Sequence, residues 1–296
     1  MNLLAIFQQF PDQEACIEHL EKIRFQKGAY CPHCGSVKVA RKCDGGRVGR
    51  WNCHDCKGSF NVLSGSIFEK TRTPLQKWFM AIGLMVNAKK SLSSYQLARD
   101  LDLTHQTALT MQHKIRAEMA SKQGMVKLQG VVEADETYIG GKPRKGNRRD
   151  NDKPGGSAPR GRGTRKIPLI GAVERGGKVV TQVAHDLTGK GIMEFIRKHV
   201  ELDGTLLITD EYKAYNAVRK NVVHAVINHS EQYVDGYTHT NTIEGFWSLV
   251  KRAWFGSHHH YSEKYIPLFA AETAWKYNMR KFKGLAFNIF VEGCFR

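Results

Sequence analysis

Two short acidic stretches and one helix carry side chains whose types and spacing could do metal-ion chemistry. Val131-Val132-Glu133-Ala134-Asp135-Glu136-Thr137 is an apolar run that breaks into acid, and Leu206-Leu207-Ile208-Thr209-Asp210-Glu211 repeats that form. Each reads as a buried strand delivering an Asp at or near its end. Asp also caps turns, so neither residue alone separates a chemical role from a structural one. A third segment shifts the balance. Over His239 to Arg252, read as a helix, Ile243, Phe246, Trp247 and Val250 form an apolar stripe that continues to Trp254, with Asn241, Glu244, Ser248 and Lys251 opposite. Glu244 and Lys251 lie two turns apart, about 10 Å, and point the same way. Asp135, Asp210 and Glu244 offer hard oxygen ligands of the kind that suit Mg²⁺ or Mn²⁺. Two such ions can activate a water or a 3′-hydroxyl and stabilise the leaving oxygen of an in-line phosphoryl transfer. Lys251 would then position a phosphate beside them.

A separate centre is written in the cysteines. Cys31-Pro-His-Cys34-Gly and Cys53-His-Asp-Cys56-Lys-Gly give two C-x2-C knuckles eighteen residues apart. Four tetrahedral thiolates hold one Zn²⁺ with no position open for chemistry, so the site is expected to be closed and structural. His33, Cys43 and His54 are spare donors, and Gly35 and Gly58 allow the chain to turn back near the sulfurs. Seven Cys, an odd number with four of them paired in knuckles, suit a reducing compartment better than a disulfide scaffold.

The elements that must position these groups fall into a multidomain α+β chain. Residues 1–27 form a short helical lead-in, with the helix at about Asp12 to Arg24, and 28–65 the zinc ribbon. Residues 70–122 have helical periodicity with almost no Gly or Pro, and from about 128 to 296 short β-type runs alternate with helical segments. Within the helical part, Ser93 to Gln96 reads as a capping box opening a helix through Leu101. Asp102-Leu103 then turns the chain, and Thr104 caps a helix to about Met119. This pair resembles a helix-turn-helix, in which His105, Gln106, Thr107 and Thr110 stand near the N-terminal end and can reach base edges. Glu174-Arg175-Gly176-Gly177 between two apolar runs is a hairpin signal.

Charge points to a polyanion. The chain carries 45 Lys and Arg against 28 Asp and Glu, a net +17. A net +8 sits in the 25 residues of 142–166 alone. That insertion, with Lys142, Arg144, Lys145, Arg148, Arg149, Arg160, Arg162, Arg165 and Lys166, reads either as a solvated loop or as one that settles on phosphates, and nucleic-acid contact is the preferred reading. Arg252 belongs to the same basic surface. The longest apolar run, Trp78 to Val86, is nine residues, too short to cross a bilayer. Met1 to Pro11 has no signal-peptide pattern. At 41% hydrophobic and 25% charged the chain is composed like a folded protein, expected to be cytoplasmic with no membrane partner.

VEADETYIGGK, GAVERGG, ITDEYKAY, HTNTIEGFWSLVKR, HHHYSEKY and WKYNMRKF together resemble the DDE transposases of bacterial insertion sequences, in the branch with an N-terminal zinc ribbon. The resemblance spans nearly the whole chain. It implies a ribonuclease-H-like (integrase-like) mixed sheet flanked by helices, with Asp135, Asp210 and Glu244 as ligands of two Mg²⁺ or Mn²⁺ ions. It further implies binding to terminal inverted repeats, cutting of double-stranded DNA at the element's ends, transfer of the freed 3′-hydroxyls to target DNA, a homodimer or larger synaptic assembly, and residence on the bacterial nucleoid. Some relatives use Asn as third ligand, which keeps Asn241 open beside Glu244. Asn278 and Arg280 match the family as well, either as a buried polar clamp or as DNA contacts. The competing readings are a non-catalytic DNA-binding regulator derived from a transposase, and a metal-dependent nuclease that cuts and stops.

Overall fold

The computed structural model describes residues 1–42, 49–140, 166–227, 238–258, 260–282 and 284–295. They form two compact units, Met1–Glu118 with Lys281–Arg296, and Met119–Arg280.

In the first unit, helix α1 (Leu3–Gln9) precedes the expected helix α2 (Gln13–Arg24), and each has a local side-chain cap, Asn2 and Asp12. Strands β1 (Val39–Arg41), β2 (Arg50–Cys53) and β3 (Ser59–Asn61) form an antiparallel ribbon in that order. Glu21 of α2 holds the ribbon, accepting hydrogen bonds from Arg41 Nη2 at 2.5 Å and Trp51 Nε1 at 2.9 Å. Helix α3 (Leu75–Asn87) buries Leu75, Trp78, Phe79, Ile82 and Met85 along one stripe. Helices α4 (Ser94–Asp100) and α5 (His105–Ser121) follow. The Ser93 hydroxyl accepts from the Gln96 amide at 3.1 Å, and Thr104 Oγ1 from the Thr107 amide at 3.3 Å. Between the helices Asp102 turns the chain with φ +48°.

The second unit is a five-stranded mixed sheet. Strands β4 (Val131–Ile139), β5 (Ile167–Glu174) and β6 (Val179–Val183) make an antiparallel meander. Helix α6 (Gly189–His199) carries the chain back to β7 (Leu206–Thr209), which lies parallel to β4, and β8 (Val223–Val226) lies parallel to β7. The order β6-β5-β4-β7-β8 is that of a ribonuclease-H-like sheet. Side chains alternate across β4. Val132 and Ala134 pack with Ile192, Phe195 and Ile196 of α6. On the other face Ile139 and Leu169 pack with Ile243, Phe246, Trp247 and Val250 of α7 (Asn241–Arg252) and Phe269 of α8 (Ile266–Met279). Asn278 is the buried clamp: its Oδ1 accepts from the Val179 amide at 2.7 Å and its Nδ2 donates to the Val179 carbonyl at 2.9 Å. Arg280 Nη2 donates to the Gly177 carbonyl at 2.8 Å beside it.

The last helix, α9 (Ala286–Gly293), groups with the first unit, whereas the sequence reading ran the catalytic segment through to 296. Aromatic packing accounts for this: the Phe287 ring lies 5.6 Å from Phe79, itself 4.8 Å from Phe10.

Candidate active site

Strand β4 delivers Glu133 and Asp135 to the face covered by α7. Its register with β7 pairs Val131 with Leu206 and Glu133 with Ile208. Continued by two residues, that register sets Asp210, just past the end of β7, beside Asp135. Their charges act on each other accordingly. The Asp135 carboxyl is pushed up to about 7, first by burial, then by the negative charges of Glu136 and Asp210. Asp210 also closes its own turn, Oδ1 accepting from the Tyr212 amide at 3.1 Å, so the capping role and the clustering coexist. A cleft of about 440 Å³ opens against Asp210, Glu211, Tyr212 and Lys213.

Two further side chains bear on these carboxylates. Glu136 projects to the opposite face of β4, where it accepts a hydrogen bond from the Tyr215 hydroxyl at 3.3 Å. The phenol is fully buried, and burial together with Glu136, Asp135 and Asp210 holds its pKa well above the usual tyrosine value. The second neighbour is Trp247. Its Nε1 donates to Asp135 Oδ2 at 3.0 Å.

Helix α7 places Asn241, Glu244, Lys251 and Arg252 on its exposed side, as the stripe predicts. Thr240 Oγ1 donates to Glu244 Oε1 at 3.3 Å. Asp135 and Asp210 are brought together; the Glu244 carboxylate does not close a three-residue cluster with them. Among the described residues, only Cys31, Cys34, Cys53 and Cys56 bring three or more such ligand atoms within 4.8 Å of one another. The donor set at Asp135 and Asp210 still fits a divalent cation, because a buried carboxylate raised by an adjacent carboxylate is relieved by positive charge.

The four cysteines fit zinc closely. Sγ–Sγ separations of 3.7 Å (Cys31 to Cys56) and 3.6 Å (Cys34 to Cys53) are near the edge of about 3.8 Å that a tetrahedron of 2.3 Å Zn–S bonds requires. Gly35 turns the first knuckle with φ +75°, but in the second the left-handed residue is Lys57, with φ +59°. Gly58 serves by smallness instead: a Cβ there would lie 3.3 Å from the Cys56 sulfur. His33 and His54 take no part in the cluster, and Cys43 lies outside the described residues.

Of the expected base-contacting side chains, Gln106 and Thr110 are exposed on α5, while His105 and Thr107 are half-buried. His105 is held in place, its Nε2 2.9 Å from the Ser94 hydroxyl and its ring stacked 3.9 Å from Tyr95. The Thr110 hydroxyl donates to the Gln106 carbonyl at 2.9 Å. Lys142, Arg144, Lys145, Arg148, Arg149, Arg160, Arg162 and Arg165 lie outside the described residues; Lys166 is half-buried at the start of β5. His258, half-buried, packs edge-on against Phe269 at 4.6 Å. No helix among the described residues is long and apolar enough to cross a membrane.

Residues 127–278 match the ISXO2-like transposase domain, and residues 11–59 match the transposase zinc-ribbon domain. A relative from Halobacterium salinarum, an uncharacterized protein in transposable element ISH50, is 30% identical over 265 residues, covering 84% of this chain and 85% of that one. Among solved structures, a chain of the simian T-cell lymphotropic virus intasome in complex with PP2A regulatory subunit B56 gamma aligns at 13% identity and TM-score 0.30. That alignment covers 61% of this chain and 64%, just under two thirds, of the other. The Mos1 strand transfer complex aligns at 14% identity and TM-score 0.24, over 70% of this chain and 78% of its own.

Proposed function

We propose, from the premise that this chain belongs to the ISXO2-like transposase family, that it binds the terminal inverted repeats of an insertion sequence and catalyses Mg²⁺-dependent strand cleavage and strand transfer. One observation carries the reading: the parallel register of β4 and β7, paired as far as Glu133 and Ile208, leads on to Asp135 and Asp210, whose charges act on each other, with α7 bonded to Asp135 through Trp247. Divalent cations, when bound, supply the Lewis acidity that activates the attacking oxygen and stabilises the leaving one. The chain's own residues hold the geometry. Asp135 and Asp210 would provide oxygen ligands, and Glu244, whose carboxylate stands outside their cluster in this structure, would join them as the third, being preferred to Asn241 because an anion binds Mg²⁺ more firmly than an amide. Lys251, two turns along α7, orients a phosphate. Trp247, bonded to Asp135 Oδ2, holds the orientation of that carboxylate.

The same reading assigns the remaining parts. One structural Zn²⁺ on Cys31, Cys34, Cys53 and Cys56 holds the ribbon, and α4 with α5 approaches DNA. The basic insertion at 142–166, with Arg252, neutralises phosphates on transposon ends and target. Two ends must be handled together, so a homodimer or larger assembly is proposed, working on the nucleoid in the cytoplasm. Incubating the purified chain with Mg²⁺ and duplexes bearing the element's ends tests this. Joined products support it, cleavage without joining indicates a nuclease, and binding with no cleavage indicates a DNA-binding regulator.

A further inference from the structure

Glu133 is fully buried beneath the start of α7, yet it lies two residues before Asp135 on the same face of β4. Its oxygens are consumed by the protein itself. Oε2 accepts from the amides of Thr242 at 2.8 Å and Ile243 at 3.0 Å. Oε1 accepts from Thr242 Oγ1 at 2.8 Å and from Arg175 Nε at 2.6 Å. Arg175 in turn reaches the residue leading into the helix, donating through Nη2 to the His239 carbonyl at 2.9 Å. A buried carboxylate paired with a half-buried guanidinium is a costly way to stabilise a fold, because apolar side chains of similar volume often do as well. What the pair supplies is a fixed position.

The capping of α7 shows which position. A helix start is ordinarily satisfied by a Ser, Thr, Asp or Asn at its own N-cap. Here the N-cap residue, Thr240, makes no side-chain cap bond. Its hydroxyl is turned to Glu244 Oε1 instead, and the first-turn amides are satisfied from a strand more than a hundred residues away in sequence. The helix therefore touches β4 at two polar points, Glu133 at residues 242–243 and Asp135 at Trp247. From 243 to 247 a helix rises about 6 Å, and from 133 to 135 a strand advances about 6.6 Å. The two spacings match, so α7 is fixed against both sliding and rotation along β4. Glu244 lies between the two points.

We infer that Glu133, together with Arg175, is a positioning residue for the reaction: it sets the axial register of α7 and so the placement of Glu244 relative to Asp135 and Asp210. The inference rests on the proposed role of those three carboxylates as metal ligands. Outer partners that orient ligands are typically worth about 10–100-fold in metal affinity or activity.

The test uses the whole chain, with Mn²⁺ binding followed by calorimetry and the Mg²⁺ dependence of cleavage measured alongside thermal melting. Glu133→Ala weakens Mn²⁺ binding about tenfold or more and raises the half-saturating Mg²⁺ concentration by a similar factor, with DNA retention unchanged. Glu133→Gln keeps the length and one acceptor oxygen but sets an NH2 against two of the four donors, so its effect falls between wild type and Glu133→Ala. A folded Glu133→Ala chain with wild-type Mn²⁺ binding and Mg²⁺ dependence overturns the inference. If Glu133→Ala fails to fold, Glu133→Gln decides: it keeps the length but offers one acceptor oxygen where the carboxylate has two, so the bonds to Thr242, Ile243 and Arg175 cannot all be kept, and a folded Glu133→Gln chain with unshifted metal dependence overturns the inference equally. Asp135→Asn separates this result from failure of the ligand assignment itself. If Asp135→Asn binds Mn²⁺ like wild type, the assignment is wrong; if it loses the ion while Glu133→Ala and Glu133→Gln keep it, only the positioning role is wrong.

Discussion

Trp247 lies on Gly171, and Gly171 is the residue paired with Asp135 across β4 and β5. A Cβ at position 171 would stand 2.7 Å from the indole ring, so the absent side chain makes the seat from which Trp247 Nε1 reaches Asp135. Gly171→Ala is therefore expected to displace the indole. Melting should show a loss of about 1–3 kcal/mol from overpacking, and cleavage should fall further than in Trp247→Phe, which keeps a ring in the seat. Equal activity in wild type and Gly171→Ala would show that the Trp247 contact is immaterial to the site.

Asp135→Asn and Asp210→Asn should each abolish cleavage while leaving DNA binding near wild type. Stability should move the other way. Asp135 is held protonation-prone by burial and by Glu136 and Asp210, so a neutral amide there relieves repulsion, and the metal-free variant should melt at or above the wild-type temperature at neutral pH. A marked fall in melting temperature would mean that the carboxylate is structural.

The ribbon depends on its metal. Its buried cluster consists of Cys31, Cys53 and Phe60, with Phe25, Val39 and Trp51 packed around it, too small a core to stand alone. Purified protein should contain one zinc per chain. Chelation should abolish the near-ultraviolet dichroism of Trp51, whose ring stacks with Phe60 at 6.5 Å. Protein that is free of zinc and retains that signal would contradict the assignment.

His224 sets an acid limb on stability. Thr209 Oγ1 donates to the Asp210 carbonyl at 2.9 Å and so accepts from His224 Nε2–H at 3.0 Å, while Nδ1 is buried and unpartnered, with no acceptor for the second proton of a charged imidazolium. Burial, then the Arg219 charge, lowers the pKa from 6.5 to about 4. Between those values the unfolded chain binds the proton and the folded chain does not, so the contribution is present above pH 6.5 and lost as pH falls toward 4. His224→Gln should make the decline in melting temperature over this window shallower, by at most about 3 kcal/mol. An unchanged slope would place the acid sensitivity elsewhere.

Asn278→Leu should cost roughly 2–4 kcal/mol, since it strands both backbone groups of Val179 without a partner. DNA affinity measured on the folded fraction should not change. A selective loss of DNA binding would restore the contact role.

What the sequence made legible is what local spacing encodes. The paired cysteines, the apolar runs ending in Asp135 and Asp210, and the two stripes of α7 are each read within a dozen residues. The resemblance then supplied the class of the sheet, mixed and flanked by helices. Glu133 was illegible because its partners are Arg175, Thr242 and Ile243, forty to more than a hundred residues away. As an isolated acid in a β-type run it looked like part of the polar ending. Gly171 was hidden for the same reason, since only the register with Asp135 and the packing of Trp247 give it meaning. Trp247 was read as apolar alone, because a helical stripe records which side of a residue is buried and not what its one polar atom touches. The grouping of α9 depended on Phe287 finding Phe79, a pairing that no local pattern announces.

The most direct test of the catalytic claim is strand transfer by the purified chain on duplexes carrying its own element's ends, with Mg²⁺ present and with Asp135→Asn and Asp210→Asn assayed in parallel. The account predicts cut and joined products from wild type and neither from the two variants, all three retaining the DNA. Products from either variant at the wild-type rate, or none from a folded, DNA-bound wild type, would contradict it.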